Sequence, residues 1–366
     1  MLLMSRKISG HQFIAIIFLI KALGVFYATL VFGRYTPLVD AQEYLSGGFI
    51  GSGHFRTALV QQFVVLTGSL VGEYLTHLIF GLISTAGLIY YYLTGGRRWW
   101  LLLTLFGPSA FVWASIVGKE AIYIGFSGIL LVLWSSYVVN NLRWYEIVLC
   151  VFSFLICFSL RPHYALALAW LYIATLVIKR LKEKAPVFLI LLFVAGALSL
   201  FFLGISEVTV WDDLLFRGYT AIDPSARASR FESLGIPPHA EPHHYGFFVF
   251  KEQIPLGMLA GIVGPLPSEV LNRIEFLPFF IEGVIILISP LCIFVWARAG
   301  ASQLDPLFKR VFWWGLIPAI LIVIAVHAPF GLLNPGSATR WRTNFEQIFY
   351  LAPLLLVLRF HDRVSE

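Results

Sequence analysis

Apolar runs of about 18 residues or more recur along this chain from end to end, and each is long enough to cross a bilayer as a helix. In hydrocarbon every backbone N–H and C=O must be satisfied within the spanning segment or a closed barrel. Runs of this length and uniformity therefore point to helices, and the fold class is all-α: a polytopic transmembrane helix bundle. Composition agrees, with 59% hydrophobic and 13% charged residues among 366, where a soluble domain carries about 25% charged.

About ten spans are predicted, at 10–33, 71–94, 98–117, 120–139, 143–160, 163–179, 185–205, 276–297, 309–330 and 345–360. The third is interrupted by Gly107-Pro108. No internal repeat, low-complexity tail or separate soluble domain is visible, so 1–366 reads as a single transmembrane domain. The N-terminal apolar region resembles a signal peptide but is too long and has no clear small-residue cleavage site. It is read as a retained first helix.

Charge gives the orientation. With the N-terminus in the cytoplasm, every cytoplasmic segment carries Lys or Arg: Arg6 and Lys7; Arg97 and Arg98; Arg143; Lys179 to Lys184; Arg298, Lys309 and Arg310; Arg359 and Arg363. This is the positive-inside pattern. Both termini are then cytoplasmic, and the net charge of +6 serves orientation without implying nucleic acid. Two long loops, 34–70 after span 1 and 206–275 after span 7, face outward and are expected to cap an active site. Within them, 55–75 and 246–266 read as helices that lie on the outer leaflet or pack on the bundle.

Four outer features carry candidate chemistry. In "VDAQEY" (39–44), Asp40, Glu43 and Tyr44 share one face if the stretch is helical. A carboxylate there can act as a general base, or simply cap a short helix. In "GKEA", Lys119 and Glu120 sit at a tight outer connection, where either Lys119 binds a phosphate as a point charge or the two pair and cap the helices. In "LRPHY", Pro162 suits a helix start, which places Arg161 in an anion-binding environment and His163 beside it. In "GSATRWR", Arg340 and Arg342 flank Trp341, and arginine's planar fork suits bidentate phosphate contacts. Ser337 and Thr339 are read as caps for the final helix, after a turn at Asn334-Pro335-Gly336. Tyr44, Glu120 and His163 are candidate substrate contacts, and the loop 206–275 adds Asp212, Asp213, Arg217, His243 and His244.

No metal site is assigned. The His239, His243 and His244 group lacks a HExxH-type pattern, and no cofactor is expected. Cys150, Cys157 and Cys292 all lie in apolar spans and read as buried thiols. Walker, GxGxxG and nucleophile-elbow motifs are missing, which argues against nucleotide-driven chemistry. Lys21, inside the first span, either faces an internal cavity or snorkels.

The layout of a first outer loop carrying "VDAQEY" and a second long outer loop after the seventh span resembles the GT-C superfamily of membrane glycosyltransferases. The "GKEA" and "GSATRWR" stretches resemble those of membrane proteins of bacterial surface-polysaccharide assembly, including Wzy-type polymerases. The resemblance implies a polyprenyl-phosphate- or diphosphate-linked sugar donor at the outer face of a bacterial inner membrane, with a glycan or lipid acceptor. It gives Asp40, with Glu43 as rival, the role of base or acceptor orienter. Lys119, Arg161, Arg340 and Arg342 are expected to hold the donor phosphate. A polymerase joining lipid-linked repeat units and a flippase for a lipid-linked sugar are the alternatives.

Overall fold

The computed structural model describes residues 9–35, 38–48, 55–95, 98–206, 254–299, 304–333 and 335–365. Among them every regular element is a helix. In chain order they begin with α1 (Gly10–Phe26), α2 (Val39–Ser46), α3 (Phe55–Val71), α4 (Glu73–Ser84), α5 (Ala86–Leu93), α6 (Pro108–Trp113), α7 (Lys119–Val139), α8 (Trp144–Leu160) and α9 (Pro162–Leu181). They continue with α10 (Ala185–Ser206), α11 (Ile254–Val263), α12 (Pro267–Asn272), α13 (Leu277–Ala299), α14 (Pro306–Arg310), α15 (Ile317–Leu333), α16 (Pro335–Arg342) and α17 (Glu346–Ser365). The chain forms two compact units, one of residues 1–168 and 343–366, the other of residues 169–342.

By length and composition five helical runs can cross a membrane: Gly10–Arg34, Lys119–Val139, Pro162–Gly196, which is broken at Lys182–Lys184, Ile274–Ala299 and Pro306–Ala328. The pair α4 and α5, bent by 51°, makes a sixth if it is one broken span. Residues 98–117, expected as a kinked span, are not one helix. A 3-10 helix, Trp99–Phe106, gives way at Gly107 to the six-residue α6, and irregular backbone follows to Gly118. Irregular backbone at membrane depth is tolerated only when protein covers it, and Ala114, Ser115, Ile116, Val117 and Gly118 are all buried.

The first unit is built around α7, which packs against α4, α5, α8 and α17. Its glycines permit close approach, as small residues do between membrane helices. A Cβ on Gly125 would lie 2.2 Å from the Ile83 carbonyl oxygen, and one on Gly87 of α5 would lie 2.4 Å from the Gly128 carbonyl carbon. The bend between α4 and α5 at Thr85 thus lies against two α7 glycines. The α1 start is fixed by a reciprocal cap, in which Gln12 N–H donates to Ser9 Oγ and Ser9 N–H to Gln12 Oε1.

In the second unit, the helical run after Ala169 reverses at Lys182. On an unbroken helix residues 170 and 193 would stand about 35 Å apart at 1.5 Å per residue. The Trp170 and Phe193 ring centroids are 5.5 Å apart. Lys182 has φ of 47°, the left-handed region that ends a helix, and Glu183 at the turn pairs with Arg310 at 2.8 Å. α11 packs closely on α15. A Cβ on Gly331 would meet the Gly257 carbonyl oxygen at 2.3 Å and the Gly261 nitrogen at 2.5 Å. Cys150 and Cys157 are buried, while Cys292 on α13 is exposed, contrary to the expectation of three buried thiols. Apolar periodicity places a cysteine in a span but not on its inner face.

Candidate functional site

The sequence 39–46 is helical, as the placing of Asp40, Glu43 and Tyr44 on one face requires. Gly47 ends it with φ of 84°, a conformation that glycine adopts without penalty. Tyr44 is buried and anchors the helix, while Asp40 and Glu43 are half-buried. α2 packs on α3. Gln61 Nε2 donates to the Glu43 carbonyl at 3.3 Å, and Leu45 lies beside Gly68. Both contacts lie on α3, whose first turn carries Arg56 and Thr57.

That end is where charge gathers. Lys119, the first residue of α7, donates from Nζ to Thr57 Oγ1 at 3.0 Å. Glu120 is 2% exposed and forms an ion pair with Arg161, the residue just before α9. Arg161 and Arg56 both act electrostatically on His163. The His163 ring lies 4.1 Å from that of Tyr164, which is fully buried and contacts Tyr123 and Phe345. Three helix starts, those of α3, α7 and α9, therefore meet at one place. Each contributes roughly half a positive charge, and the end of α8, for which Arg161 is the cap, contributes roughly half a negative one. Arg56, Lys119 and Arg161 add three cations, against which Glu120 stands as a counter-charge.

The backbone leading to Lys119 is tied to α1 and α4. Val117 N–H donates to the buried His77 Nδ1 at 3.0 Å, and Lys21 Nζ donates to the Ala114 carbonyl at 3.4 Å. Lys21 is therefore buried within the protein and does not snorkel. A Cβ on Gly118 would meet Glu120 Oε2 at 2.8 Å, so glycine there leaves room for the carboxylate to face Arg161.

Arg342 behaves differently from the expectation of a phosphate ligand. It is 0% exposed. Nη1 donates to the carbonyls of Ile262 and Gly264 at 2.8 and 2.9 Å, and Nη2 to the Phe279 carbonyl at 2.8 Å and to Glu282 Oε2 at 2.7 Å. All four Nη hydrogens are committed inside the second unit and the Nε–H is buried, so the guanidinium presents none to an outside anion. Arg340, on the same short helix, is half-buried. Ser337 and Thr339 lie inside α16, so they do not cap the final helix, which begins at Glu346 after an intervening turn. Asp212, Asp213, Arg217, His239, His243 and His244 lie outside the described residues. Among the described residues no group of His, Cys, Asp or Glu is arranged to hold a metal ion.

Sequence reasoning missed Arg56. Its signal was available: a cation leading an apolar helix on the side assigned as outer, as Arg161 leads α9. It also missed Glu282 as the partner of Arg342, a pairing across sixty residues of chain. No protein-family model matches the chain, and neither a curated protein nor a solved structure matches it.

Proposed function

We propose that the chain is an integral membrane glycosyltransferase that takes a polyprenyl-phosphate- or diphosphate-linked sugar at the outer face of the membrane, in cell-surface polysaccharide or glycolipid assembly. The observation that carries this reading is the meeting of three helix starts with Arg56, Lys119 and Arg161 beside α2. Such a place favours a multivalent anion. Asp40 accepts the proton of the acceptor hydroxyl as its oxygen attacks the sugar anomeric carbon. The bond from that carbon to the phosphate oxygen breaks, and the phosphate leaves with the electron pair. Arg56, Lys119 and Arg161 stabilise the charge that develops on it. The donor's glycosidic bond supplies the driving force, so no nucleotide is required.

The topology that goes with this reading has ten crossings, both termini in the cytoplasm and the helix starts of α7 and α9 facing outward. The reversal at Lys182 fits a cytoplasmic basic turn between two crossings. At the opposite end of α8 from Arg161, Trp144 is 77% exposed and Arg143 donates to the Tyr145 hydroxyl at 2.8 Å. An aromatic and basic group of this kind sits well at a membrane–water interface.

The test is purified protein in proteoliposomes with a polyprenyl-phosphate-sugar donor and a glycan acceptor. Asp40→Asn should fold and bind donor but lose transfer by at least about a hundredfold, the scale of general-base catalysis. Near-normal transfer by Asp40→Asn removes Asp40 from the reaction, with Glu43→Gln the next variant to assay. A ladder of repeat units as product would favour the Wzy-type polymerase. Lipid-linked sugar crossing the bilayer with no covalent product would favour the flippase.

A further inference from the structure

The first unit holds a second polar centre, within its membrane-spanning helices. Lys21 of α1 is 1% exposed. Its ammonium donates to the Ala114 carbonyl at 3.4 Å and to Ser115 Oγ at 3.5 Å. Both contacts are longer than the usual 2.7–3.2 Å or so, and an ammonium has three hydrogens to place. The nearby opposite charge is Glu346, in the first turn of α17 and 1% exposed, which acts on Lys21 electrostatically. Glu346 is not a hydrogen-bond partner of Lys21, so the two charges attract across a gap.

A small cavity opens beside Lys21. It is lined by Lys21, Ser84, Thr104, Gln347, Tyr350 and Leu351, among others. Gln347 Oε1 is buried, and among the described residues it has no hydrogen-bond partner. Tyr350 Oη donates to Glu346 Oε1 at 3.2 Å, and a phenolic oxygen is by nature an acceptor as well as a donor. A buried water usually makes about three hydrogen bonds to polar groups that would otherwise go unsatisfied. Three residues of its lining bring groups that suit such a water: Lys21, whose ammonium has a third hydrogen, and Gln347 and Tyr350, whose oxygens are acceptors.

We propose that the cavity holds one bound water joining Lys21, Gln347 and Tyr350, and that Lys21, the water, Tyr350 and Glu346 form a proton wire inside the membrane. The water accepts from Lys21 Nζ and donates to Gln347 and Tyr350. Transfer along the wire balances. Lys21 gives a proton to the water, the water gives one to Tyr350 Oη, and Tyr350 gives its own to Glu346 Oε1. The ammonium becomes an amine, the carboxylate becomes a carboxylic acid, and water and phenol are regenerated. The net event moves one proton and turns two separated buried charges into two neutral groups. A charged pair separated in low dielectric is costly to keep, and the wire gives it a neutral alternative without opening the bundle. Gln347 takes no part in transfer; it is a positioning residue that holds the water in line.

The experiment is infrared difference spectroscopy on full-length protein in lipid nanodiscs, with H2-18O exchange. The wild type should show an isotope-shifted O–H band from the bound water, and Gln347→Leu should lose it. If Gln347→Leu does not fold, Gln347→Met carries the same expectation. A band that survives both substitutions, or that the wild type lacks, overturns the water site. The carboxylic C=O band of Glu346 is identified by its loss in Glu346→Gln. Tyr350→Phe should change its intensity at least twofold, because the wire is cut while the water keeps Lys21 and Gln347. An unchanged Glu346 band in Tyr350→Phe overturns the wire. The thermal midpoint adds a readout of pairing. Lys21→Met should lower it, and Lys21→Met with Glu346→Gln should recover most of the loss; a double variant no better than the single one separates the two charges and also overturns the wire.

Discussion

Arg342→Ala should destabilise the protein strongly, and the structure sets the size of the effect. The guanidinium is 0% exposed and its partner Glu282 is 7% exposed. Removing one member of a buried ion pair costs about 3–5 kcal/mol, because the other charge is left uncompensated. The carbonyls of Ile262, Gly264 and Phe279 lose a donor in the same step. Each unsatisfied buried acceptor costs roughly 1–3 kcal/mol, less where water enters the vacated space. About 4 kcal/mol is therefore a floor. For a cooperative unit of 150–250 residues, roughly 2–4 °C of midpoint follows each kcal/mol, which gives a fall of about 10 °C. The assay is thermal unfolding in detergent, followed by tryptophan fluorescence. Arg342→Leu combined with Glu282→Leu should be milder than Arg342→Ala, since no lone charge remains, though the three carbonyls still lack donors. A stable Arg342→Ala that has lost the proposed glycosyl transfer would refute this reasoning and return Arg342 to the proposed substrate site.

Arg56→Ala should leave folding intact, because the side chain is exposed, and weaken binding of the proposed lipid-phosphate donor about fivefold at low salt, as loss of ~1 kcal/mol requires; a loss undiminished at high ionic strength would argue against an electrostatic role. Gly331→Ala should lower stability by about 1–3 kcal/mol or more, since its Cβ would strike backbone of α11 at 2.3 Å and the helices must separate; an unchanged thermal midpoint would refute the close crossing. Lys182→Gly should be at least as stable as the wild type and Lys182→Val less stable by ~1 kcal/mol, because φ of 47° suits glycine and opposes a β-branched residue. Equal losses in the two Lys182 variants would show that the turn conformation carries no strain.

Much of the helical layout was legible in the sequence because it rests on local chemistry. The face shared by Asp40, Glu43 and Tyr44 follows from helical spacing alone. Pro162 marks the start of α9, and the basic group around Lys182 marks a reversal. The stretch 98–117 was misread for a physical reason. Apolarity reports that a segment leaves water, not which backbone pairing it adopts, and here His77 and Lys21 satisfy backbone groups that an α-helix would have satisfied internally. Arg342 failed for a similar reason: whether an arginine meets a phosphate or Glu282 is decided by a helix far away in sequence. The cluster at Lys119 and Arg161 was half legible. Charges at helix starts gave those two, but only tertiary packing brings Arg56 and Thr57 to them.

The buried irregular stretch from Ala114 to Gly118 has a consequence for how the protein enters the membrane. An apolar helix can leave the insertion machinery alone, because its backbone is already satisfied. This stretch cannot face lipid by itself. Its amide at Val117 waits for His77, and its carbonyl at Ala114 waits for Lys21. Both partners are synthesised earlier, on α1 and α4. Residues 99–118 must therefore be released against helices already gathered at the exit, and a substitution at His77 should show first as a defect in biogenesis, with shortened lifetime of the nascent chain, before any defect in the finished protein.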